Sequence, residues 1–271
     1  MSVQVCVLGS GSRGNATLVM TPALHLLIDA GFTPDEMGRR LDGTGASWET
    51  LDALLLTHTH GDHLKKRCLS FCATHGIQFI CHAAHARQLQ NSRYFKRLEQ
   101  KGLVRTHDGL APLAVGAQSE ATLQPIALSH DAPPTFGFRI ETAGIVVAYL
   151  ADLGECALET ARFIADADIL ALEFNHDEAM ELASGRHPAL IERVLSDIGH
   201  LSNAQAAEVF RQVLAHCSNG GPKVLLQLHL SAECNRPELA FRAAQEVSRA
   251  AGARTQIFST RQESRGTVHN V

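Results

Sequence analysis

Short apolar runs separated by polar or glycine-containing segments dominate the first sixty residues. They cover residues 3–8, 26–28 and 51–56, and runs of this length between turn residues are typical of buried strands. Further strands are predicted at residues 77–80, 123–128, 135–140, 145–150, 169–172 and 223–228. Helical spacing predicts helices at residues 64–74, 84–100, 188–196, 203–215 and 237–250. Alternating strands and helices with two clusters of strands predict an α/β protein, built as a four-layer αββα sandwich.

The length of 271 residues is large for one domain, but two-sheet α/β folds reach this size. Residues 1–271 are therefore predicted to form a single domain. Within it, the segment Ser202-Asn203-Ala204-Gln205 is typical of a helix N-terminus. The polar tail after Thr260 is expected to be loosely held.

Targeting signals and cysteine usage favour a cytoplasmic location. No run reaches the ~18 apolar residues that a membrane helix needs, and the first residues lead into a strand without the pattern of a signal peptide. The seven cysteines lack the paired spacing of secreted scaffolds. Cys68, Cys72 and Cys81 are expected to be buried thiols. The alternative is a structural zinc site with His82 and His85.

The segment Thr57-His58-Thr59-His60-Gly61-Asp62-His63 carries the clearest chemistry in the chain. It follows the predicted strand at 51–56, and His and Asp are ligands for divalent transition metals. His58 and His60 alternate along an extended segment and so face one side. Asp62 and His63 follow the turn at Gly61 and can reach a second metal. The alternative is a polar loop with clustered histidines, but ligand types, order and context all favour a metal site.

This segment resembles the metal motif of the metallo-β-lactamase-fold hydrolases, and residues 1–271 are similar to one such domain. Within that family the chain is most similar to the YycJ (WalJ) branch of exonucleases. The segments that carry this similarity are Gly9–Asn15, Ser129-His130-Asp131-Ala132, Glu173-Phe174-Asn175-His176-Asp177, Leu195–Asn203 and His229-Leu230-Ser231.

The resemblance implies a site for two divalent metal ions, Zn²⁺ or Mn²⁺, with Fe as a further option. One ion would be bound by His58, His60 and His130, and the other by Asp62, His63 and His229. Asp152 would bridge the two ions. Asp29 would orient ligands or loops beside them, or would be a turn residue before Gly31.

Three residues are candidates for direct roles in catalysis, namely Asp62, His200 and His176. His200 lies in a segment similar to one whose histidine protonates the leaving group in tRNA-processing members, and a hydrolase that expels an alkoxide benefits from such an acid. His176 would support the ligands or contact substrate. Helix capping or packing is the alternative for His200 and His176.

The charge distribution favours a nucleic acid, DNA, as the partner. The net charge is −4, yet residues 65–105 contain nine Lys and Arg against one acidic residue, a net charge of +8. A basic stretch beside a hydrolytic site suits a phosphate backbone, although a solvated helix face would look the same. Ser10, Ser12 and Asn15 lie in the Gly9–Asn15 loop and are candidates to hold a substrate phosphate.

The resemblance therefore implies a two-metal phosphodiester hydrolase, a DNA exonuclease acting in the 5′ to 3′ direction through a hydroxide that bridges the metals. One alternative is a metal-dependent hydrolase of a small ester, thioester or cyclic phosphodiester on the same fold. A second alternative is a metal-stabilised binding or regulatory module without turnover. The complete set of ligands argues against that second alternative.

Overall fold

The computed structural model describes residues 2–271, which divide into two compact units. The first unit comprises the chain up to residue 125 together with residues 141–144 and 262–270. The second unit comprises residues 126–140, 145–261 and 271. None of the helices in the described residues is both long and apolar enough to cross a membrane.

A seven-stranded mixed sheet lies within the first unit. Its strands are β1 (Gln4–Gly9), β2 (Ala16–Thr21), β3 (Leu24–Ile28), β4 (Ala53–Leu55), β5 (Gln78–His82), β6 (Val104–His107) and β14 (His269–Asn270). The order along the sheet is β14-β1-β2-β3-β4-β5-β6. The pairs from β3 to β6 are parallel, and those among β14, β1, β2 and β3 are antiparallel.

A second seven-stranded sheet is also mixed. Its strands are β7 (Leu113–Val115), β8 (Ala121–Leu128), β9 (Thr135–Thr142), β10 (Ile145–Leu150), β11 (Ile169–Glu173), β12 (Val224–Leu228) and β13 (Gln256–Ser259). The order is β13-β12-β11-β10-β9-β8-β7, with β10 to β13 parallel. Strands β11 and β12 are buried along their whole length, as expected for parallel strands covered on both faces.

Nine helices are present in the described residues. They are α1 (Pro34–Leu41), α2 (Cys68–His75), α3 (Ala83–Leu89), α4 (Arg93–Gln100), α5 (Leu158–Phe163), α6 (Glu178–Leu182), α7 (Pro188–Val194), α8 (Asn203–His216) and α9 (Pro237–Ala250). The predicted cap of α8 is confirmed, because Ser202 and Gln205 form a reciprocal capping box.

Parallel strands position the candidate site residues. The carboxyl ends of such strands meet at one edge of a sheet, where open α/β folds bind ligands. In the first sheet, Asp29 follows β3 and the histidine segment follows β4. In the second sheet, Asp152 and His229 follow β10 and β12, and Glu173 ends β11.

Three predictions about elements were wrong. The predicted helix at 84–100 is two helices, because Ser92 adopts an extended conformation before α4. Helix α1 was missed, although Thr33 caps it and Pro34 opens it. The tail after Thr260 is not loosely held. Gly266 N–H donates to Val7 O at 2.9 Å, and β14 pairs with β1.

Candidate metal centre

The histidine segment after β4 forms a compact group in the first unit. The ring of His58 lies 4.7 Å from that of His60 and 4.2 Å from that of His63, measured between centroids. Asp62 approaches the same group, with Oδ2 3.8 Å from His63 Nε2. His58 and His63 are buried, whereas His60 and Asp62 are partly exposed. The four predicted ligands of the first unit therefore lie side by side.

Asp29 fixes the orientation of His63 and of the start of the segment. Its Oδ2 accepts the Nδ1–H of His63 at 2.7 Å, and its Oδ1 accepts the backbone N–H of Thr57 at 2.9 Å. The hydroxyl of Thr57 lies 2.9 Å from Asp29 Oδ2 and 3.0 Å from His58 Nδ1. Burial raises the pKa of the Asp29 carboxyl, and the donors from His63 and Thr57 oppose that rise. With Nδ1 protonated, His63 keeps a lone pair on Nε2 for a metal.

The Gly9–Asn15 loop supports the histidine segment through hydrogen bonds. Asn15 Oδ1 accepts from Ser10 Oγ at 3.0 Å, and the Asn15 amide nitrogen lies 2.9 Å from His63 Nε2. Ser10 and Asn15 are buried, and Ser12 is exposed. Gly31 is required here, because a Cβ at this position would collide with the backbone of Asp62. Two of the three candidate phosphate contacts thus bond to each other.

The second unit gathers its own group of metal-binding side chains. One ligand atom each from Asp152, Glu173, His200 and His229 lies within 4.8 Å of all the others. Asp152 Oδ1 is 3.3 Å from His229 Nε2 and 3.5 Å from His200 Nδ1. The rings of His200 and His229 stack at 5.1 Å. Two predicted ligands and the proposed acid therefore share one cluster.

Glu173 lies at the centre of this cluster, and no role was predicted for it. Its Oε1 accepts the Nδ1–H of His200 at 2.8 Å, and its Oε2 accepts the N–H of Leu153 at 2.8 Å. His229 Nδ1 is 3.3 Å from Oε1. Burial raises the pKa of Glu173, but His200 and His229 more than offset this and hold that pKa below its usual value. Glu173 is therefore a buried carboxylate that orients two histidines.

His130 is oriented by the backbone of the loop that carries His200. Its Nδ1–H donates to Gly199 O at 3.2 Å, and its ring lies 5.3 Å from that of His200. Burial lowers the pKa of His130. The neighbouring Asp131 places Oδ1 3.2 Å from His130 Nε2, and its Oδ2 pairs with Arg193 at 3.1 Å. Asp131 and Arg193 had no predicted role either.

Three site residues adopt the left-handed backbone conformation at strand ends. The φ angles are 61° for Asp29, 58° for Asp152 and 55° for His229. Residues other than glycine rarely adopt this conformation, and strained examples cluster at functional sites. The left-handed conformation changes the direction of the chain at the point where each strand ends.

His176 is brought close to the second cluster without joining it. Both ring nitrogens are buried, and neither has a hydrogen-bond partner among the described residues. Burial lowers the pKa of His176, with Glu181 and Glu173 acting in the opposite direction. Its backbone forms an isolated bridge with Ser202. His176 therefore orients no predicted ligand through a hydrogen bond of its ring.

The donor set in both units fits divalent metal ions. Histidines that bind metals usually donate the remaining ring N–H to a carboxylate or a backbone carbonyl. His63 does so to Asp29, and His130 does so to Gly199. No cysteine takes part in any group of described residues able to hold an ion. All seven cysteines are free, and Cys68 donates to Phe32 O at 3.3 Å.

Comparisons with known proteins place this arrangement in a family. Residues 25–218 match the domain described as the beta-lactamase superfamily domain. The chain belongs to the beta-lactamase superfamily. It is 30% identical to the exodeoxyribonuclease WalJ of Streptococcus pneumoniae over 86% of this chain and 84% of that protein. It is 27% identical to the exodeoxyribonuclease YycJ of Bacillus anthracis, over 91% of this chain and 89% of that one.

Solved structures of the superfamily confirm the predicted fold. The metallo-β-lactamase-fold protein YhfI from Bacillus subtilis matches with a TM-score of 0.73 at 20% identity and covers all of both chains. The predicted α/β class with the metallo-β-lactamase fold, and the similarity to WalJ and YycJ, are confirmed. The chain is a metal-dependent hydrolase of this superfamily.

Proposed function

We propose that this protein is a two-metal phosphodiester hydrolase, a DNA exonuclease that digests from a 5′ end. The observation that carries the proposal is that two of the proposed metal ligands, His63 and His130, already have their Nδ1–H groups held by Asp29 and Gly199. Such second contacts are expected where histidines bind metals. The naming of WalJ and YycJ as exodeoxyribonucleases supports DNA as the substrate.

The proposed ligands are divided between two ions. His58, His60 and His130 would hold one ion, Asp62, His63 and His229 would hold the other, and Asp152 would serve both. When bound, such a pair of ions would activate water and neutralise charge on phosphate oxygens. Zn²⁺, Mn²⁺ and Fe all suit imidazole and carboxylate ligands. The protein contributes by holding the histidine ligands in fixed tautomers.

His200 is proposed to protonate the departing oxygen. Because its Nδ1–H is donated to Glu173 at 2.8 Å, Nε2 is the atom that can give a proton to substrate. The Glu173 carboxylate fixes the orientation of the ring, and a general acid must be positioned at the atom it protonates. Asp62 is the other proposed catalytic residue, as a ligand beside the reacting water. His176 is proposed to support the ligands by packing, because its ring is fully buried.

The basic stretch supports a polyanionic substrate. Lys66, Arg67, Lys96 and Arg97 are exposed and form no ion pair within the described residues. Arg97 reaches Ser70 Oγ at 3.5 Å, which links α4 to the first turns of α2. Unneutralised like charges on α4 and in the residues just before α2 repel each other, so an anionic partner would relieve that repulsion. DNA supplies such a partner at constant spacing.

For Ser10, Ser12 and Asn15 we propose a narrower role than the sequence predicted, in which only Ser12 contacts the substrate phosphate. Ser12 is the exposed member of the three. Ser10 and Asn15 would act by shaping the loop, since their side chains bond to each other. We further propose that residues 1–271 act as one domain in the cytoplasm.

A DNA digestion assay with Mn²⁺ tests the proposal. Duplexes carrying a label at the 5′ or the 3′ end, each with a 5′-phosphate or a 5′-hydroxyl, report direction and end preference. Early loss of the 5′ label with the 3′ label retained supports the proposal. Early loss of the 3′ label refutes the direction. Hydrolysis of small esters, thioesters or cyclic phosphodiesters with no action on DNA would favour the alternative.

A further inference from the structure

A half-exposed cation is anchored beside a proposed metal ligand in the second unit. Arg193 Nη1 lies 3.1 Å from Asp131 Oδ2, with side-chain exposures of 52% and 18%. The other oxygen of Asp131 lies 3.2 Å from His130 Nε2. One carboxylate therefore connects the guanidinium to the atom with which His130 would bind an ion.

The backbone also ties Arg193 to the proposed acid. His200 N–H donates to Val194 O at 3.0 Å, one residue after Arg193. A Cβ at Gly199 would collide with the carbonyl oxygens of Arg193 and Val194, so this approach is close. The end of α7 therefore packs on the loop that carries His200 and accepts the hydrogen bond from His130. Arg193 is held from two sides, through its side chain and through its backbone.

The chemistry of the guanidinium suits a phosphate. Arginine has five N–H donors in a planar fork that matches two phosphate oxygens. Arg193 uses its side chain for one ion pair within the described residues. Because about half of the side chain is exposed, further donors face solvent. An arginine held by a carboxylate loses less rotamer entropy when it binds an anion.

We propose that Arg193 binds a backbone phosphate of the substrate next to the scissile bond, and that Asp131 positions it there. This inference rests on the proposed function, because it assumes a phosphodiester at the metals. Arg193 would be a substrate-binding residue, and Asp131 would act through it. A structural ion pair is the competing explanation, and the second unit contains a matched example of one.

The matched pair is Lys223 with Asp168. Lys223 Nζ lies 3.0 Å from Asp168 Oδ1, with exposures of 61% and 15%. Its geometry and burial resemble those of Arg193 and Asp131. Lys223 and Asp168 precede β12 and β11, however, so they lie at the amino ends of those strands. Removing the charge of Lys223 is therefore a control for general effects on charge and stability.

The test measures DNA binding to the metal-loaded protein, on a duplex whose phosphorothioate linkages resist cleavage. R193Q, R193K and K223Q are compared with the parent protein by fluorescence anisotropy over a range of salt concentrations. Loss of one phosphate contact should reduce the slope of log K against log[salt] by about 0.7–0.9 in magnitude. We expect this for R193Q, with Kd raised several-fold. R193K should keep the slope and bind more weakly, because Lys lacks the planar fork. K223Q should match the parent.

Kinetics with Mn²⁺ complete the test. R193Q should raise KM for DNA more than it lowers kcat, with a melting temperature close to that of K223Q. Equal effects of R193Q and K223Q on slope and KM would overturn the inference while leaving the proposed function intact. A parent protein that neither binds nor cleaves DNA would overturn the proposed function. Such a protein would offer Arg193 no backbone phosphate to bind, so that result would overturn the inference as well.

Discussion

Replacing Glu173 with glutamine should damage both the stability and the chemistry of the second cluster. The carboxylate accepts one N–H from Leu153 and one from His200, each at 2.8 Å. A glutamine amide has one accepting oxygen and one donating NH₂ group. If the oxygen faces His200, the NH₂ group opposes the N–H of Leu153. If the oxygen faces Leu153, the NH₂ group forces His200 to carry its proton on Nε2.

The magnitude follows from these contacts. The first orientation leaves the buried N–H of Leu153 unsatisfied, which costs about 1–3 kcal/mol. The second avoids that cost only by changing the tautomer of His200. A chain of this size loses about 2–4 °C of melting temperature per kcal/mol, so a loss of about 2 kcal/mol in the first orientation should lower Tm by about 4–8 °C. His200 also loses the carboxylate that orients its ring. Removing a general acid reduces turnover by about 10²–10⁴, and we expect the lower end, about 10²-fold, for E173Q on DNA.

The assay separates these two effects. Turnover of DNA and of bis(4-nitrophenyl) phosphate is measured at saturating Mn²⁺, with metal content determined on the same samples. The nitrophenolate leaves without a proton, so E173Q should be less impaired on that substrate than on DNA. D168N is the control, because Asp168 also accepts a buried backbone N–H, that of Val146 at 3.0 Å, away from the cluster. Equal losses on both substrates, or loss of metal, would refute the proposed role of Glu173.

Three further predictions address the metals, the substrate and the pH dependence of stability. Asp152→Ala should abolish hydrolysis and lower the metal content below two equivalents per chain by elemental analysis; a variant that retains activity with less than one equivalent would contradict a two-metal mechanism. Changing Arg93, Lys96 and Arg97 to Glu should weaken DNA binding and flatten its salt dependence while sparing bis(4-nitrophenyl) phosphate; an equal loss on both would assign these residues a structural role. Burial lowers the pKa of His107 from 6.5 to about 4, so the unfolded chain binds more protons between these values and the free energy of unfolding should fall as pH drops from 6.5 to 4. The share of this fall due to His107 should be about 3 kcal/mol at most. It is measured by urea unfolding as the difference between the parent and H107N, whose side-chain oxygen can replace the ring nitrogen that accepts from Gly109; an unchanged pH profile in H107N would refute it.

Local patterns predicted the elements whose signals are contiguous in sequence. The strand before His58 and the cap at Ser202 are examples, since apolar runs and capping residues act over a few positions. Helix α1 was missed because Thr33 and Pro34 gave a start signal that lay among predicted strands. The tail was judged by its polarity, although its order depends on backbone pairing with β1, more than 250 residues away.

The candidate site shows the same division between local and distant signals. The ligands could be predicted because their order resembles that of a family. Glu173 has no such local signal, since its importance comes from contacts with Leu153, His200 and His229. Arg193 and Asp131 are likewise joined across 62 positions by an ion pair at 3.1 Å. A carboxylate that lies next to a pair of histidines can be recognised only once the structure shows which strands are neighbours.

The left-handed conformations of Asp29, Asp152 and His229 imply that the site is maintained against the preference of the backbone. A residue with a Cβ gives up about 1–2 kcal/mol in this conformation, and Asp somewhat less, whereas glycine adopts it freely. Selection for folding alone would therefore favour glycine at all three strand ends. A descendant of this chain that had lost its activity would be free to accept such changes. The presence of Asp or His at these positions in a related sequence is thus a sign that the sequence is still under selection for chemistry.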